Sequence, residues 1–284
     1  MTETLTILSQ STCFGGNVAF YQHDSAACNC TMRFAVYLPP QAQTEPVPVL
    51  YYLSGLSCTE ENFMMKAGAQ SYAAEYGVML VAPDTSPRGE GVPDDEVWDL
   101  GMGAGFYVDA TEAPWNRHYR MYSYITEELP DLIRRQFPIR GDRAGIFGHS
   151  MGGHGALVCG LTNPNRYCSI SAFAPIAAPM QCPWGQKAFL NYLGGDRASW
   201  KAYDASQLVL THADPSRPIL IDQGMADPYL QQQLLPQLFE AACQKAGQPV
   251  TVRMQADYDH SYYFISTFMA DHIRHHATAL FSQF

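Results

Sequence analysis

Arg143-Ala144-Gly145-Ile146-Phe147-Gly148-His149-Ser150-Met151-Gly152 is the stretch on which the fold turns. Its first half is a short apolar run that reads as a buried strand, and Gly153, Gly155, Ala156 and Gly160 beyond it read as a small-residue helix able to lie close against a sheet. Between them stands Gly-x-Ser-x-Gly. A sharp strand-to-helix bend leaves no room for side chains beside the central residue, which accounts for Gly148 and Gly152. A serine hydroxyl in water is a poor nucleophile, so an enzyme that uses one must present it bare, beside a base and near donors for an oxyanion. The helix that starts at the bend brings its N-terminal amides and the positive end of its dipole to that spot. Chance alone would place Gly-x-Ser-x-Gly in roughly one chain of this length in ten; the strand before it and the helix after it make Ser150 a nucleophile candidate.

Outward from this bend, short β-branched or aliphatic runs alternate with longer amphipathic ones. Strands are expected over Thr31–Leu38, Val47–Leu53, Val78–Ala82, Arg143–Phe147, Cys168–Ala174, Pro218–Asp222 and Val250–Gln255. Helices are expected over Ala67–Tyr76, Tyr122–Phe137, Gly153–Leu161 and Tyr229–Ala246, with a last one from Tyr262 towards the C-terminus. Breakers fall at Pro39-Pro40, Asn163-Pro164-Asn165 and Gly247. The stretch Asp84 to Asn116 is rich in Gly, Pro and acidic residues without a sustained period; it reads as a functional excursion over the strand ends. This alternation predicts an α/β class with a mainly parallel central sheet and helices on both faces. No linker divides the 284 residues, so residues 1–284 are expected to form a single α/β-hydrolase domain.

With 27 acidic against 17 basic residues the net charge is -10, which argues against nucleic acid or an anionic membrane as partner. Met1-Thr2-Glu3-Thr4-Leu5-Thr6-Ile7 lacks the basic start and apolar run of a secretory leader, and no eighteen-residue apolar stretch occurs. A cytoplasmic protein is expected. The eight cysteines are expected to be free thiols in so long and leaderless a chain. Cys28-Asn29-Cys30 is one residue short of Cys-x-x-Cys and has no second pair, so neither structural zinc nor another metal is expected.

In an elbow fold the partners of the serine follow in the order acid, then histidine. Ile219-Leu220-Ile221-Asp222 runs out into Gln223-Gly224-Met225-Ala226-Asp227, which offers Asp227 in the loop beyond the strand. Asp222, the last strand residue, is its competitor and reads instead as a loop-anchoring acceptor. After the final strand, Asp257-Tyr258-Asp259-His260-Ser261 supplies His260 as the base. His272, His275 and His276 read as a solvated helix end, and His149 and His154 as packing residues whose rings point away from Ser150. On this reading His260 takes the proton of Ser150 and Asp227 fixes its tautomer. The oxyanion hole would use the N–H of Met151 and one from the turn Ser54-Gly55-Leu56-Ser57-Cys58, for which Leu56 is the choice.

Further blocks carry a resemblance. Leu53-Ser54-Gly55-Leu56-Ser57-Cys58-Thr59-Glu60-Glu61-Asn62-Phe63, Asp84-Thr85-Ser86-Pro87-Arg88-Gly89, Gly103-Ala104-Gly105-Phe106-Tyr107-Val108-Asp109-Ala110-Thr111, Gly148 to Gly153, Cys182-Pro183-Trp184-Gly185-Gln186-Lys187-Ala188-Phe189 and Asp259-His260-Ser261-Tyr262-Tyr263-Phe264 closely resemble the S-formylglutathione hydrolase (esterase D) family, in order and over most of the chain. The resemblance implies a cytoplasmic, cofactor-free thioesterase of formaldehyde detoxification that cleaves S-formylglutathione, a small-molecule glutathione thioester, to glutathione and formate, and a homodimer. It places the triad on Ser150, Asp227 and His260 and the oxyanion donors on Leu56 and Met151. It matches Cys58 to the cysteine that makes relatives sensitive to thiol reagents by steric block; the other reading of Cys58 is a small buried hydrophobe. Trp184 would narrow the acyl pocket for a formyl group, or belong to the core. The chain departs from the family at Leu100, where phenylalanine is usual in Trp98-Asp99-Leu100-Gly101, and at Ala177-Ala178-Pro179-Met180, where an asparagine is common. The rival functions are a broad carboxylesterase of short acyl esters with the same triad, an acyltransferase, and a catalytically silent binding module.

Overall fold

The computed structural model describes residues 5–141 and 143–282. Residues 1–4, on which the leaderless reading partly rests, and the last two residues of the expected domain lie outside the described residues.

Along the chain come β1 (Thr6–Cys13), β2 (Gly16–Ser25), β3 (Cys30–Leu38), β4 (Val49–Leu53), α1 (Glu60–Lys66), α2 (Ala69–Tyr76), β5 (Met79–Pro83), α3 (Met121–Ser123), α4 (Leu129–Gln136), β6 (Ala144–His149), α5 (Met151–Thr162) and β7 (Tyr167–Phe173). They are followed by α6 (Pro183–Leu193), α7 (Arg197–Trp200), α8 (Ala205–His212), β8 (Ile219–Gly224), α9 (Pro236–Ala246), β9 (Val250–Gln255) and α10 (Tyr262–Phe281). The strands form one nine-stranded sheet in the order β1-β2-β3-β5-β4-β6-β7-β8-β9. The pairs from β1 to β5 are antiparallel, and those from β5 through β9 are parallel.

The mainly parallel α/β sheet is therefore as expected, with an antiparallel wing of which the sequence reading had only β3. Strands β4, β5, β6 and β7 are buried along their whole length, as continuous apolar runs must be when both faces are covered. Alternation along them assigns the two faces. A Cβ on Gly160 of α5 would meet Ile170 at 2.6 Å and Ile146 at 3.3 Å, so the even residues look towards α5. Phe147 and Phe173 face α10 instead, with the Phe173 ring stacked 3.7 Å from His272. Among the described residues no helix is long and apolar enough to cross a membrane.

Local chemistry explains where helix bounds move. Thr59 and Asn62 close a capping box that starts α1 well before Ala67, and Gly68 in the left-handed region separates α1 from α2. Leu235 at φ 50° interrupts the run expected over Tyr229–Ala246, so a π-turn (Leu230–Leu234) precedes α9. The excursion after β5 carries no α-helix or strand until α3, as its composition predicts. All eight cysteines are free thiols.

Candidate active site

Parallel strands bring their carboxyl ends to one edge, where loops can converge, and the candidate residues follow β4, β6, β8 and β9 at that edge. Ser150 sits between β6 and α5 at φ 58° and ψ -118°, a strained conformation for a residue with a side chain. It is over-determined by its neighbours: its N–H donates to Phe173 O at 3.0 Å, and its carbonyl accepts from His154 N at 3.0 Å and Ile176 N at 3.1 Å. The glycine requirement is steric. A Cβ on Gly152 would stand 1.9 Å from Leu53 O, and one on Gly148 2.3 Å from Gly152 O.

The turn after β4 abuts this elbow, since a Cβ built on Gly55 would lie 3.1 Å from Ser150 Cβ. Leu56 follows in the same turn, half-buried, and Met151 is the first residue of α5, whose N–H has no acceptor within the helix. Both chosen donors thus come from segments in contact with Ser150. The excursion fastens the turn: Ser57 N donates to Gly103 O at 2.8 Å, Tyr107 Oη to Ser54 O at 2.9 Å and Thr85 Oγ1 to Cys58 O at 2.5 Å.

Asp227 and His260 meet. His260 Nδ1 lies 2.5 Å from Asp227 Oδ2, while Asp227 Oδ1 accepts the Tyr229 amide at 2.8 Å. The Ser150 hydroxyl makes no hydrogen bond to the imidazole among the described residues, and such bonds are often long before substrate arrives. What joins the two is His149: its ring lies 4.3 Å from that of His260, centroid to centroid. His149 is a packing residue as expected, but it packs on the candidate base. Burial first, and the neighbouring His260 second, hold its basicity well below that of a free imidazole, so it stays neutral at neutral pH. His154 is also buried, with Nε2 3.0 Å from Phe106 O, and burial lowers its pKa to about 4.

Trp184 opens α6, almost buried, and packs 4.8 Å from Tyr229, whose ring in turn lies 5.1 Å from His260. Trp98 meets its edge at 5.5 Å. The tryptophan is thereby in a chain of aromatics ending on the base, a contact that neither Tyr229 nor Trp98 advertised in the sequence. Cys58 is half-buried, and burial raises its thiol pKa against the opposing pull of Lys66; it is a thiol rather than a thiolate, which does not suit a nucleophile. Among the described residues no group of three or more His, Cys, Asp or Glu could hold a metal ion.

Two expectations are corrected. Asp222 is the acceptor expected, but it binds strand and helix side chains rather than the loop that follows it. Its fully buried carboxylate accepts from Arg253, from Gln255 Nε2 at 2.7 Å and from His272 Nε2 at 2.9 Å, tying β8 to β9 and α10. Burial alone would raise its pKa; the hydrogen bonds from His272 and Arg253 together outweigh that and lower it. Nor are the late histidines a solvated helix end. His272 and His276 are fully buried and His275 partly, and Ser171 Oγ bridges His272 Nδ1 at 2.7 Å and His276 Nε2 at 2.8 Å. A charged or dipole-seeking role needs water; these rings face the sheet because α10 is the cover of that face.

A strained serine at a strand-helix elbow, with an Asp-His pair on later loops of a parallel α/β sheet, defines a serine hydrolase of the α/β-hydrolase fold. A family model described as a putative esterase matches residues 25–275. The S-formylglutathione hydrolase of Rattus norvegicus is 57% identical over 275 residues, covering 96% of this chain and 98% of its own length. That of Paracoccus denitrificans is 54% identical and covers 99% of this chain and all of its own. The structure of an S-formylglutathione hydrolase from Agrobacterium tumefaciens superposes with a TM-score of 0.94 at 53% identity, covering 96% of this chain and 99% of that one. The chain belongs to the S-formylglutathione hydrolase family of esterases.

Proposed function

We propose that residues 1–284 act as one cytoplasmic, cofactor-free thioesterase domain that hydrolyses S-formylglutathione to glutathione and formate, the hydrolytic step of formaldehyde detoxification, and that it works as a homodimer. The observation that carries the chemistry is the 2.5 Å contact of Asp227 with His260 beside the strained Ser150; the near full-length likeness to S-formylglutathione hydrolases carries the substrate.

Ser150 Oγ attacks the formyl carbon while its proton passes to His260 Nε2, and the N–H groups of Leu56 and Met151 hold the oxyanion. The C–S bond then breaks, the sulfur takes the proton back from His260, and formyl-Ser150 remains. Water attacks this ester, gives one proton to His260 and expels Ser150 Oγ, which recovers that proton; formic acid leaves and ionises to formate in water. Asp227 holds the Nδ1–H tautomer and stabilises the imidazolium in both halves. Trp184, on the Tyr229–His260 chain, walls the acyl side, where it would narrow the space for a formyl group. Cys58 lies near enough to the oxyanion turn that a bulky thiol reagent would obstruct it.

The test is kcat/KM for S-formylglutathione against that for a short aryl ester, with purified protein. A preference of at least a hundredfold for the thioester is expected; a preference for the aryl ester would make the chain a broad carboxylesterase, and no turnover of either a silent binding module. Sedimentation or light scattering reads the dimer.

A further inference from the structure

A cleft of about 520 Å³ opens one residue beyond the oxyanion turn, walled by Thr59 and Glu60 of the α1 start, by Arg33 of β3 and by Asp84 and Arg88 after β5. None of these residues serves the chemistry above. Asp84 and Arg88 satisfy one another, Nε to Oδ2 at 2.9 Å, and Arg88 also holds Cys58 O at 3.1 Å. Glu60, the exposed Glu61 and the exposed Arg33 are left over. Glu60 is 2% exposed, yet its Oε2 has no hydrogen-bond partner among the described residues. A buried carboxylate oxygen without a donor is costly to keep. Burial, and then Asp84, push the Glu60 carboxyl up to about 7 against the pull of its own backbone N–H and of Arg33, so a cation entering the cleft would find at the wall an acceptor oxygen without a donor.

Resting on the thioesterase reading, we infer that this cleft holds the γ-glutamyl end of the glutathione leaving group, its ammonium on Glu60 and its α-carboxylate on Arg33. An α-amino acid head presents one charge of each sign a few ångströms apart, which Glu60 Oε2 and Arg33 match and the mutually paired Asp84 and Arg88 do not.

Reach agrees. Ser150 follows β6, and the Asp84–Arg88 wall of the cleft follows β5 with only β4 between them, about 10 Å away, while Arg33 is on β3, one strand further, about 14 Å away. From the thioester sulfur to the γ-glutamyl α-carbon are seven bonds, roughly 9 Å when extended. The turn spans the gap, since Gly55 packs on Ser150, Cys58 N donates to Gly55 O at 3.3 Å and Thr59 lines the cleft.

Steady-state kinetics of Glu60→Gln and Arg33→Ala test this with three substrates: S-formylglutathione, S-formyl-N-acetylcysteinylglycine, which lacks the γ-glutamyl residue, and a short aryl acetate. Each lost charged contact should raise KM for S-formylglutathione at least tenfold with kcat unchanged, because it binds ground and transition states alike, and should leave both other substrates untouched. The inference is overturned if the variants keep the wild-type KM for S-formylglutathione, or if they impair all three substrates equally. Arg33 is on the surface, so Arg33→Ala decides the matter should Glu60→Gln fail to fold. A failure of the thioesterase reading looks different: wild-type protein would itself prefer the aryl ester.

Discussion

Asp227→Asn is the substitution that most sharply separates the two late acids. The carboxylate is held at both oxygens, Oδ1 by the Tyr229 amide at 2.8 Å and Oδ2 by His260 Nδ1 at 2.5 Å. Asparagine has one acceptor oxygen, and the Tyr229 N–H can only donate, so the amide oxygen turns to Tyr229 and the NH2 to His260. Nδ1 must then accept, which puts the ring proton on Nε2, where it cannot act as base towards Ser150. The opposite orientation leaves a buried N–H facing an NH2, at a cost of about 1–3 kcal/mol. In either orientation the carboxylate charge that stabilises the imidazolium is gone, about 1.5–3 kcal/mol for a charged hydrogen bond. Together these predict a loss of roughly 10²- to 10⁴-fold in kcat. Turnover of S-formylglutathione and of an aryl ester should fall together, since base catalysis serves both, while the thermal midpoint stays near wild type because shape and volume are kept. A folded Asp227→Asn enzyme within tenfold of wild type, above all if Asp222→Asn were the variant to lose activity, would refute the assignment.

Asp222→Ala should act on stability instead. It leaves His272 and part of the Arg253 guanidinium without their acceptor in a buried place, worth about 3 kcal/mol, the low end for a broken buried pair because Asp271 still holds Arg253 at 2.7 Å; urea midpoints should show the loss, and an unchanged midpoint would contradict it. Gly152→Ala drives a methyl to 1.9 Å from Leu53 O, a backbone atom that cannot yield without moving β4 and the oxyanion turn; about 1–3 kcal/mol of stability and at least a hundredfold in kcat are expected to go together. Acid should destabilise the fold. Burial lowers His154 and His275 to about 4, and His149, His272 and His276 are lowered too, so below pH 6.5 the unfolded chain takes up protons that the fold refuses, and the stabilisation present above that pH is lost towards pH 4 at up to about 1.4 kcal/mol per unit for each ring. Glu60, raised to about 7, and Asp84 and Asp204, also raised by burial, have the opposite sign but are three groups against five; a urea midpoint that failed to drop from pH 7 to pH 5 would count against the buried neutral rings. Trp184→Ala should erode the preference for formyl over acetyl thioesters about tenfold, read as a ratio of kcat/KM values.

What could be read directly in the sequence was whatever depends on neighbours in the chain. The elbow is legible because Gly-x-Ser-x-Gly is a contiguous pattern between a local strand and helix, although the clash Gly152 avoids is with Leu53 O on a distant strand, and β9 because its alternation and flanking breakers are local. β1 escaped notice for a physical reason: it is exposed along nearly all its length, so it has no buried face to impose a period. α6 begins on Pro183 and is capped by the Cys182 sulfur, accepting from Gly185 N at 3.4 Å, a cap that the usual oxygen-bearing residues do not announce. Glu60 went unread because nothing in Glu60-Glu61 tells which of two adjacent carboxylates the fold will bury.

The two acids of the loop region show the same divide more deeply. Asp222 and Asp227 lie five residues apart, and chain order alone ranks them for catalysis; it does not say what the loser does. That depends on α10, fifty residues on, whose His272 arrives beneath β8 only when the helix covers the sheet. Once there, Asp222 binds together the strand that leads to Asp227 and the two elements, β9 and α10, that flank His260. The distance between acid and base is therefore set from below by a second acid. Substituting Asp222 by leucine, which fills the space without the charge, ought to return some of the stability lost in Asp222→Ala yet leave kcat reduced, because packing can replace the buried charge whereas the register of the His260 loop depends on the hydrogen bonds to Arg253 and His272. Recovery of kcat in parallel with stability would show that the cluster holds the fold and does nothing to position the base.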